Sequence, residues 1–457
     1  MQRLAALCLT WLAAVPAAAG GPAGQGAAPG PFHVILVTAD AMRRDALGSA
    51  ARTPKLEALA AEGLRFTRAY CNITTTTPSL ATILSGLYPR DHGAYENTAR
   101  LDGELWTLPE MLSSHGWLTA AIVNMPWLNP EVSNLTQGTD ELFRCTEIRA
   151  AAETTELALR FLESRRGEGR PFFLWIHYID THTPYRAPAR LVRRHDPPAR
   201  DSQPGSLQAV WPLFPAHHRD NPHFQAWLAG VDDVEYVRAS YWAAASAIDE
   251  GVGKIVARLK ALGLWERTLF VFTADHGESL GEHRIWFAHA GLYEATARVP
   301  LVIRSPTGPE GLRVDMPVEH ADLLSTVLGR LGLPLPARVR GCDIWPRLGS
   351  ARGRPVFLEH AGAQMEAVVS GRHKYIRHLR SITVHPGYPV QRGREELYDL
   401  EADPAEARDL TASRPDVLAR MRAWMKRVER PIGERRASRA PIDGQLQENL
   451  RSLGYTE

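Results

Sequence analysis

Two short apolar runs in this chain each end on an acidic residue, and a threonine-rich turn lies between them. The first is Val34-Ile35-Leu36-Val37-Thr38-Ala39-Asp40. The second is Leu269-Phe270-Val271-Phe272-Thr273-Ala274-Asp275, continued by His276-Gly277-Glu278. Runs this short, apolar and rich in β-branched residues predict buried strands of a parallel sheet. That constrains the chain strongly. Parallel strands need crossover connections, and their carboxyl ends share one crevice where ligands bind. Asp40, Asp275 and His276 are therefore expected to meet despite their separation in sequence. Two carboxylates and an imidazole suit one divalent cation, with calcium, magnesium, manganese and zinc all admissible. One such strand ending would mean little, because Asp often ends strands for turn reasons.

The turn between them, Thr74-Thr75-Thr76-Thr77-Pro78-Ser79, predicts a helix head. Thr77 is placed to cap a helix whose first residue is Pro78. Thr76 would then sit beside the helix N-terminus, where free N–H groups and the helix dipole favour an anion. A hydroxyl there is placed to attack a tetrahedral phosphorus or sulfur centre while a metal lowers its pKa. The plainer reading is a threonine run in an ordinary capping loop.

The length of 457 residues suits one large α/β unit and a smaller one. A net charge of +2 supplies no field to draw nucleic acid or an anionic membrane, so neither is expected as a partner. Met1-Gln2-Arg3, the apolar run Leu4 to Val15 and the small residues Ala17-Ala18-Ala19-Gly20 have the layout of a secretory signal. Residues 1–19 are expected to be removed, leaving a secreted or periplasmic protein with no membrane span; the alternative is an uncleaved anchor. Cys71, Cys145 and Cys342 are too few and too widely spaced for a disulfide framework or a zinc motif. Asn72-Ile73-Thr74 and Asn134-Leu135-Thr136 fit the glycosylation pattern, which matters only in a eukaryotic secretory route.

The catalytic α/β domain is expected over residues 31–335. Within it, residues 186–230 lack a clear period and read as a surface insertion near the rim of the crevice. A helix is expected from about Val234 to Leu262 and another from Ala321 to Gly332. Pro334 and Pro336 mark a boundary to a C-terminal subdomain, residues 336–457, with short strands at Val356 to Glu359 and Lys374 to Arg377 and a helix from Arg414 to Val428. The last fifteen residues are expected to be loosely held.

Ser85-Gly86-Leu87-Tyr88-Pro89 through His92-Gly93 resembles the Thr-Gly-x-Tyr-Pro-x-x-x-Gly run of the sulfatase family, in the alkaline phosphatase superfamily. Thr53-Pro54-Lys55-Leu56-Glu57-Ala58-Leu59-Ala60 is similar to a further family segment, as are Thr181-His182-Thr183-Pro184-Tyr185 and Tyr293-Glu294 with Val299-Pro300-Leu301. So is Glu396-Leu397-Tyr398-Asp399-Leu400 with Asp403-Pro404. The resemblance covers nearly the whole chain. It implies an alkaline-phosphatase-like sandwich: a large mixed, mostly parallel sheet flanked by helices, plus a small C-terminal α+β subdomain.

It also implies roles. Thr76 falls at the nucleophile position, where family sulfatases carry a Cys or Ser that is oxidised to formylglycine. Threonine cannot give that aldehyde, because its β-carbon bears a methyl group. Other branches of the superfamily use threonine directly. Leu80 stands where the motif has Arg, and Ala41 where a second metal Asp is usual. The resemblance implies one divalent ion held by Asp40, Thr76, Asp275 and His276. It implies His182 and Asn97 as substrate contacts, and His289 at the place of an active-site lysine, able to protonate a leaving oxygen. Three readings stay open: a hydrolase of phosphate or phosphonate mono- or diesters, a sulfuric ester hydrolase working without formylglycine, and a catalytically silent binding protein. The implied partner of the first two is a small-molecule or glycan ester. Oligomeric state is not legible.

Overall fold

The computed structural model describes residues 32–48, 51–195, 203–350, 353–360, 364–428, 437–453 and 455. The expected signal segment lies outside them. Strands β1 (His33–Ala39), β2 (Leu64–Tyr70), β3 (Leu118–Ile122), β4 (Glu141–Phe143), β5 (Phe172–Tyr178), β6 (Thr268–Ala274), β7 (Arg298–Arg304), β8 (Leu312–Val314) and β9 (Val318–Glu319) make one sheet. Its order is β8-β2-β7-β6-β1-β5-β3-β4, with β9 also pairing β2. Only β7 runs antiparallel to its neighbours, β6 and β2. The expected mixed, mostly parallel sheet is therefore present. β1, β5 and β6 are buried at every position, as their apolar composition requires.

Helices α1 (Pro54–Ala61), α2 (Thr76–Ser85), α3 (Ala151–Ser164), α4 (Val234–Ala261) and α5 (Ala321–Leu331) flank the sheet. Asp249, buried in α4, holds the head of α1 by accepting from the N–H groups of Lys55 (3.2 Å) and Leu56 (2.7 Å). Thr53 stands at the cap position of α1, but its hydroxyl bonds the Ala46 carbonyl instead.

A second sheet is antiparallel: β10 (Val356–Glu359), β11 (Met365–Ser370), β12 (His373–His378) and β13 (Glu395–Asp399), in that order. Helix α6 (Pro415–Val428) packs on it through Val417, Leu418, Met421 and Met425. This is the smaller α+β part. It is tied to the loop after α2 by Arg90, whose buried guanidinium meets Glu359 and Glu366 at 2.7 Å each.

The described part of the last fifteen residues departs from expectation. Residues Gly444–Ser452 form a helix, α7, capped by Asp443 accepting from Leu446 N–H at 2.7 Å. Leu446, Leu450 and Leu453 share one face of it and are buried. Their spacing of four and three is the amphipathic signature, which the polar residues between them dilute.

Candidate active site

β1 and β6 are parallel neighbours with Ala39 opposite Ala274, so Asp40 and Asp275 leave the sheet side by side. On its other edge β1 pairs with β5, placing Thr38 opposite His177. Asp40, His177 and Asp275 thus bring one ligand atom each to within 4.8 Å of one another. His276 adds its Nε2 at 3.7 Å from Asp40 Oδ1 and 3.7 Å from Asp275 Oδ2. All four side chains are fully buried.

The backbone aims these groups. Asp275 Oδ1 accepts from the N–H of Ala41 (3.0 Å) and of His276 (2.7 Å), leaving Oδ2 turned inward. Ala41 takes a left-handed φ of 55° to make that contact, and Tyr241 fixes it by donating to the Ala41 carbonyl at 2.9 Å. His276 Nδ1 lies 2.9 Å from the Gly277 carbonyl. A carbonyl only accepts, so Nδ1 carries the proton and Nε2 presents its lone pair. Gly277 itself admits no side chain, since a Cβ would fall 2.2 Å from the Ala295 carbonyl oxygen.

The electrostatics ask for a cation. Burial pushes the Asp40 pKa far up, and the charges of Asp275 and Glu278 push it further. Burial raises Asp275 to about 7 and lowers His177 to about 3. Asp40 Oδ1, Asp275 Oδ2 and His177 Nε2 have no hydrogen-bond partner. Among the described residues no lysine or arginine pairs with either carboxylate, and the groups within ion-pairing distance of them are the imidazoles of His177 and His276. Paired buried carboxylates without a counter-charge are costly, and a divalent ion supplies what is missing. The residues fit such an ion.

Thr76 is fully buried, with Oγ1 at 3.5 Å from both Asp40 Oδ2 and His276 Nε2. Its helix begins earlier than expected. Thr75, not Thr77, holds the cap position, and Thr76 is the first helical residue. The reason is Asn97. Its Oδ1 accepts from Thr77 N–H at 3.0 Å and its carbonyl accepts from Thr77 Oγ1 at 2.9 Å, so the helix end is served from outside. Pro78 is tolerated because N–H groups in the first turn have no intrahelical partner. Leu80 is buried in the main core.

The other half of the site opens on a cavity of about 490 Å³ lined by Thr75, Asn97, His182, His289 and Tyr455, with His217 and His218 from the segment before α4. His289 Nδ1 lies 3.5 Å from Glu278 Oε2, and Tyr185 donates to Glu278 Oε1 at 3.1 Å. The His289 ring is 4.5 Å from that of His276 and 5.2 Å from that of His182. His182 Nδ1 donates to the Thr183 carbonyl at 2.6 Å, and its Nε2 lies 2.6 Å from Tyr455 Oη. Burial, then the neighbouring His289, lowers the His182 pKa to about 3.

The structure brings together Asp40, Thr76, Asp275 and His276 and sets Asn97, His182 and His289 around them. Sequence reasoning missed His177, Glu278 and Tyr455. His177 had a signal: a lone histidine near the carboxyl end of an apolar strand. Glu278 had one too, following the second acidic strand end. Tyr455 had none, since nothing local marks a tail residue for a distant cleft.

The family model for Sulfatase matches residues 33–333. The chain belongs to the sulfatase family. A multifunctional alkaline phosphatase superfamily protein of Trinickia caryophylli is 26% identical over 405 residues, 71% of this chain and 78% of the relative. Arylsulfatase K of Bos taurus is 24% identical over 417 residues, 80% of this chain and 75% of the relative. Among solved structures, the phosphonate monoester hydrolase of Silicibacter pomeroyi superposes with a TM-score of 0.69 at 22% identity, over 87% of this chain and 94% of that one. A structure described in complex with its substrate D-glucosamine-2-N,6-O-disulfate gives 0.68 at 20% identity, over 92% and 99%. These likenesses bear out the alkaline-phosphatase-like fold. This sulfatase-family protein is an ester-hydrolysing enzyme of a metal-dependent family, and its buried triad is a candidate metal site. Among the described residues no helix is long and apolar enough to cross a membrane.

Proposed function

We propose that this sulfatase-family enzyme hydrolyses phosphate or phosphonate mono- or diesters through Thr76. The observation that carries the reading is the placement of Thr76 Oγ1, 3.5 Å from both Asp40 and His276 at the head of α2. A divalent ion held by Asp40, Asp275 and His276, with His177 as a further donor, would lower the pKa of the Thr76 hydroxyl and offset charge on the ester oxygens. Thr76 Oγ1 attacks phosphorus as its proton passes to Asp40 Oδ2, and the bond to the leaving oxygen breaks. His289 gives that oxygen a proton, and Glu278 orients the imidazole. Water then cleaves the phosphoryl-threonine and regenerates the hydroxyl. Asn97, whose Oδ1 accepts from Thr77 N–H, offers its Nδ2 amide to a non-bridging oxygen, and His182, whose Nδ1 donates to the Thr183 carbonyl, presents Nε2 as an acceptor to a hydroxyl of the substrate.

The charge of the cleft favours monoanionic esters. Its histidines His182 and His218 are held neutral by burial, and Arg439 on the rim is engaged by Glu96 at 2.7 Å. A phosphonate monoester or phosphodiester carries one negative charge, a phosphate monoester close to two. Sulfate monoesters also carry one, and relatives named for sulfatase activity support that second reading. A threonine sulfate ester, however, lacks the geminal hydroxyl through which formylglycine expels sulfate. Turnover of aryl phosphodiesters, phosphonates, phosphates and sulfates with several divalent ions tests the order. Faster sulfate than phosphodiester turnover reverses it. A metal-free protein inert on all four would leave the silent scaffold. The layout of Met1 to Gly20 supports export to a secreted or periplasmic location, and N-terminal sequencing that still reads Met1 in exported material would reject it.

A further inference from the structure

Thr76 and the strand-end ligands are buried in this structure, and a residue of the chain's own tail lies near them. Thr74 and Thr75 line the cavity, whereas Thr76, Asp40, Asp275 and His276 do not and are fully buried. Tyr455 borders both, lining the cavity and lying near Thr76 and Asp40. Its hydroxyl lies 2.6 Å from His182 Nε2, and Thr76 and Asn97 are among its near polar neighbours. His182 gives its Nδ1 proton to Thr183, so Nε2 accepts and the Tyr455 hydroxyl donates to it. His182, one of the groups expected at the substrate, is thus already satisfied by a tyrosine. Burial and the nearby Asp40 charge keep that tyrosine a neutral phenol.

We propose that Tyr455 is an internal ligand of the ester site, which must withdraw before a substrate can reach Thr76, so that the tail decides which esters enter. The inference rests on the reading of Thr76 as nucleophile. An attacking oxygen needs the reacting atom about 3 Å away. Here the Tyr455 phenol, which lines the cavity, is a near neighbour of Thr76. The anchorage of the tail suits reversible release. Beyond the buried leucines of α7, it is held by exposed contacts such as His223 with Glu448 at 2.7 Å, a pair of a kind that contributes little. The ring also packs edge-on against Trp127, with centroids 6.1 Å apart.

Binding of orthovanadate to the metal-loaded full chain, read by calorimetry, tests this without turnover. Tyr455→Ala is expected to bind vanadate about tenfold more tightly or better, the gain for a site open about one tenth of the time. Tyr455→Phe keeps the ring against Trp127 and should gain part of that. In the wild-type chain, vanadate should accelerate hydrogen exchange across residues 445–453. Equal or weaker vanadate binding by Tyr455→Ala, with wild-type binding intact, would overturn the proposal and make the hydroxyl part of the working site. Absence of vanadate binding in every variant would overturn it together with the Thr76 reading.

Discussion

The two halves of the active site are built differently. Asp40, His177, Asp275 and His276 stand at the ends of adjacent strands, fully buried, with their positions set by sheet register and by backbone N–H and C=O groups. His182, His289 and Tyr455 come from loops and the tail, line an open cavity, and stand with their rings near one another. The strand-end half is fixed before any ligand arrives. The cavity half owes its arrangement to contacts that a ligand would replace. A rigid charge-handling floor under a replaceable roof lets one fold keep its chemistry while its substrates change.

The largest expected effect lies on the seam between the halves. Thr76→Ala should lower kcat/KM by several orders of magnitude, the scale of a lost nucleophile. Thr76→Ser should retain part of the activity, because the attacking oxygen remains. Mass analysis of enzyme quenched during turnover of a slow phosphodiester should find the adduct on Thr76. Full turnover in Thr76→Ala would shift the attack to water and leave the floor as the only catalytic half.

Within the floor the strand-end carboxylate should outweigh the imidazole from β5. Asp275→Asn keeps an acceptor for the Ala41 and His276 N–H groups but removes the charge, so the fold should persist while divalent-ion binding is lost. His177→Ala should weaken ion binding by only about 10- to 100-fold, the range for removing a supporting ligand or its neighbour. Metal titration of the purified variants checks both. Equal ion affinity in Asp275→Asn and the wild type would break the assignment of the whole floor.

The same contrast explains what was legible in the sequence. Strand composition and a parallel sheet were enough to bring Asp40, Asp275 and His276 together, because the carboxyl ends of parallel strands share one crevice whatever their order. The start of α2 was misplaced because Thr77 finds its partner in Asn97, a residue on a separate loop. His177 was passed over because nothing along its own strand says that β5 neighbours β1. Tyr455 was out of reach, since its place depends on α7 docking through Leu446, Leu450 and Leu453 against distant segments.

The smallest expected effect tests how the floor is braced from below. Two buried imidazoles hold α2, the helix that presents Thr76. His92 Nδ1 accepts from Ala94 N–H at 3.1 Å, so its Nε2 carries the proton and donates to Thr82 at 3.1 Å. His320 lies 3.1 Å from the Ser79 hydroxyl through its Nδ1. Burial lowers both to about 3 from an ordinary value near 6.5. Between those values the unfolded chain binds more protons than the folded one, so stability is complete above pH 6.5 and falls as the pH drops. At pH 5 the loss is about 2 kcal/mol per imidazole. Protonating His92 would also turn its accepting nitrogen into a donor facing the Ala94 N–H. Denaturant unfolding between pH 7 and pH 5 should therefore lose stability more steeply in the wild type than in His92→Gln, whose amide can serve both partners without titrating. An equal slope in the two proteins would mean that the imidazole stays neutral for another reason, and that acid attacks the cavity half first.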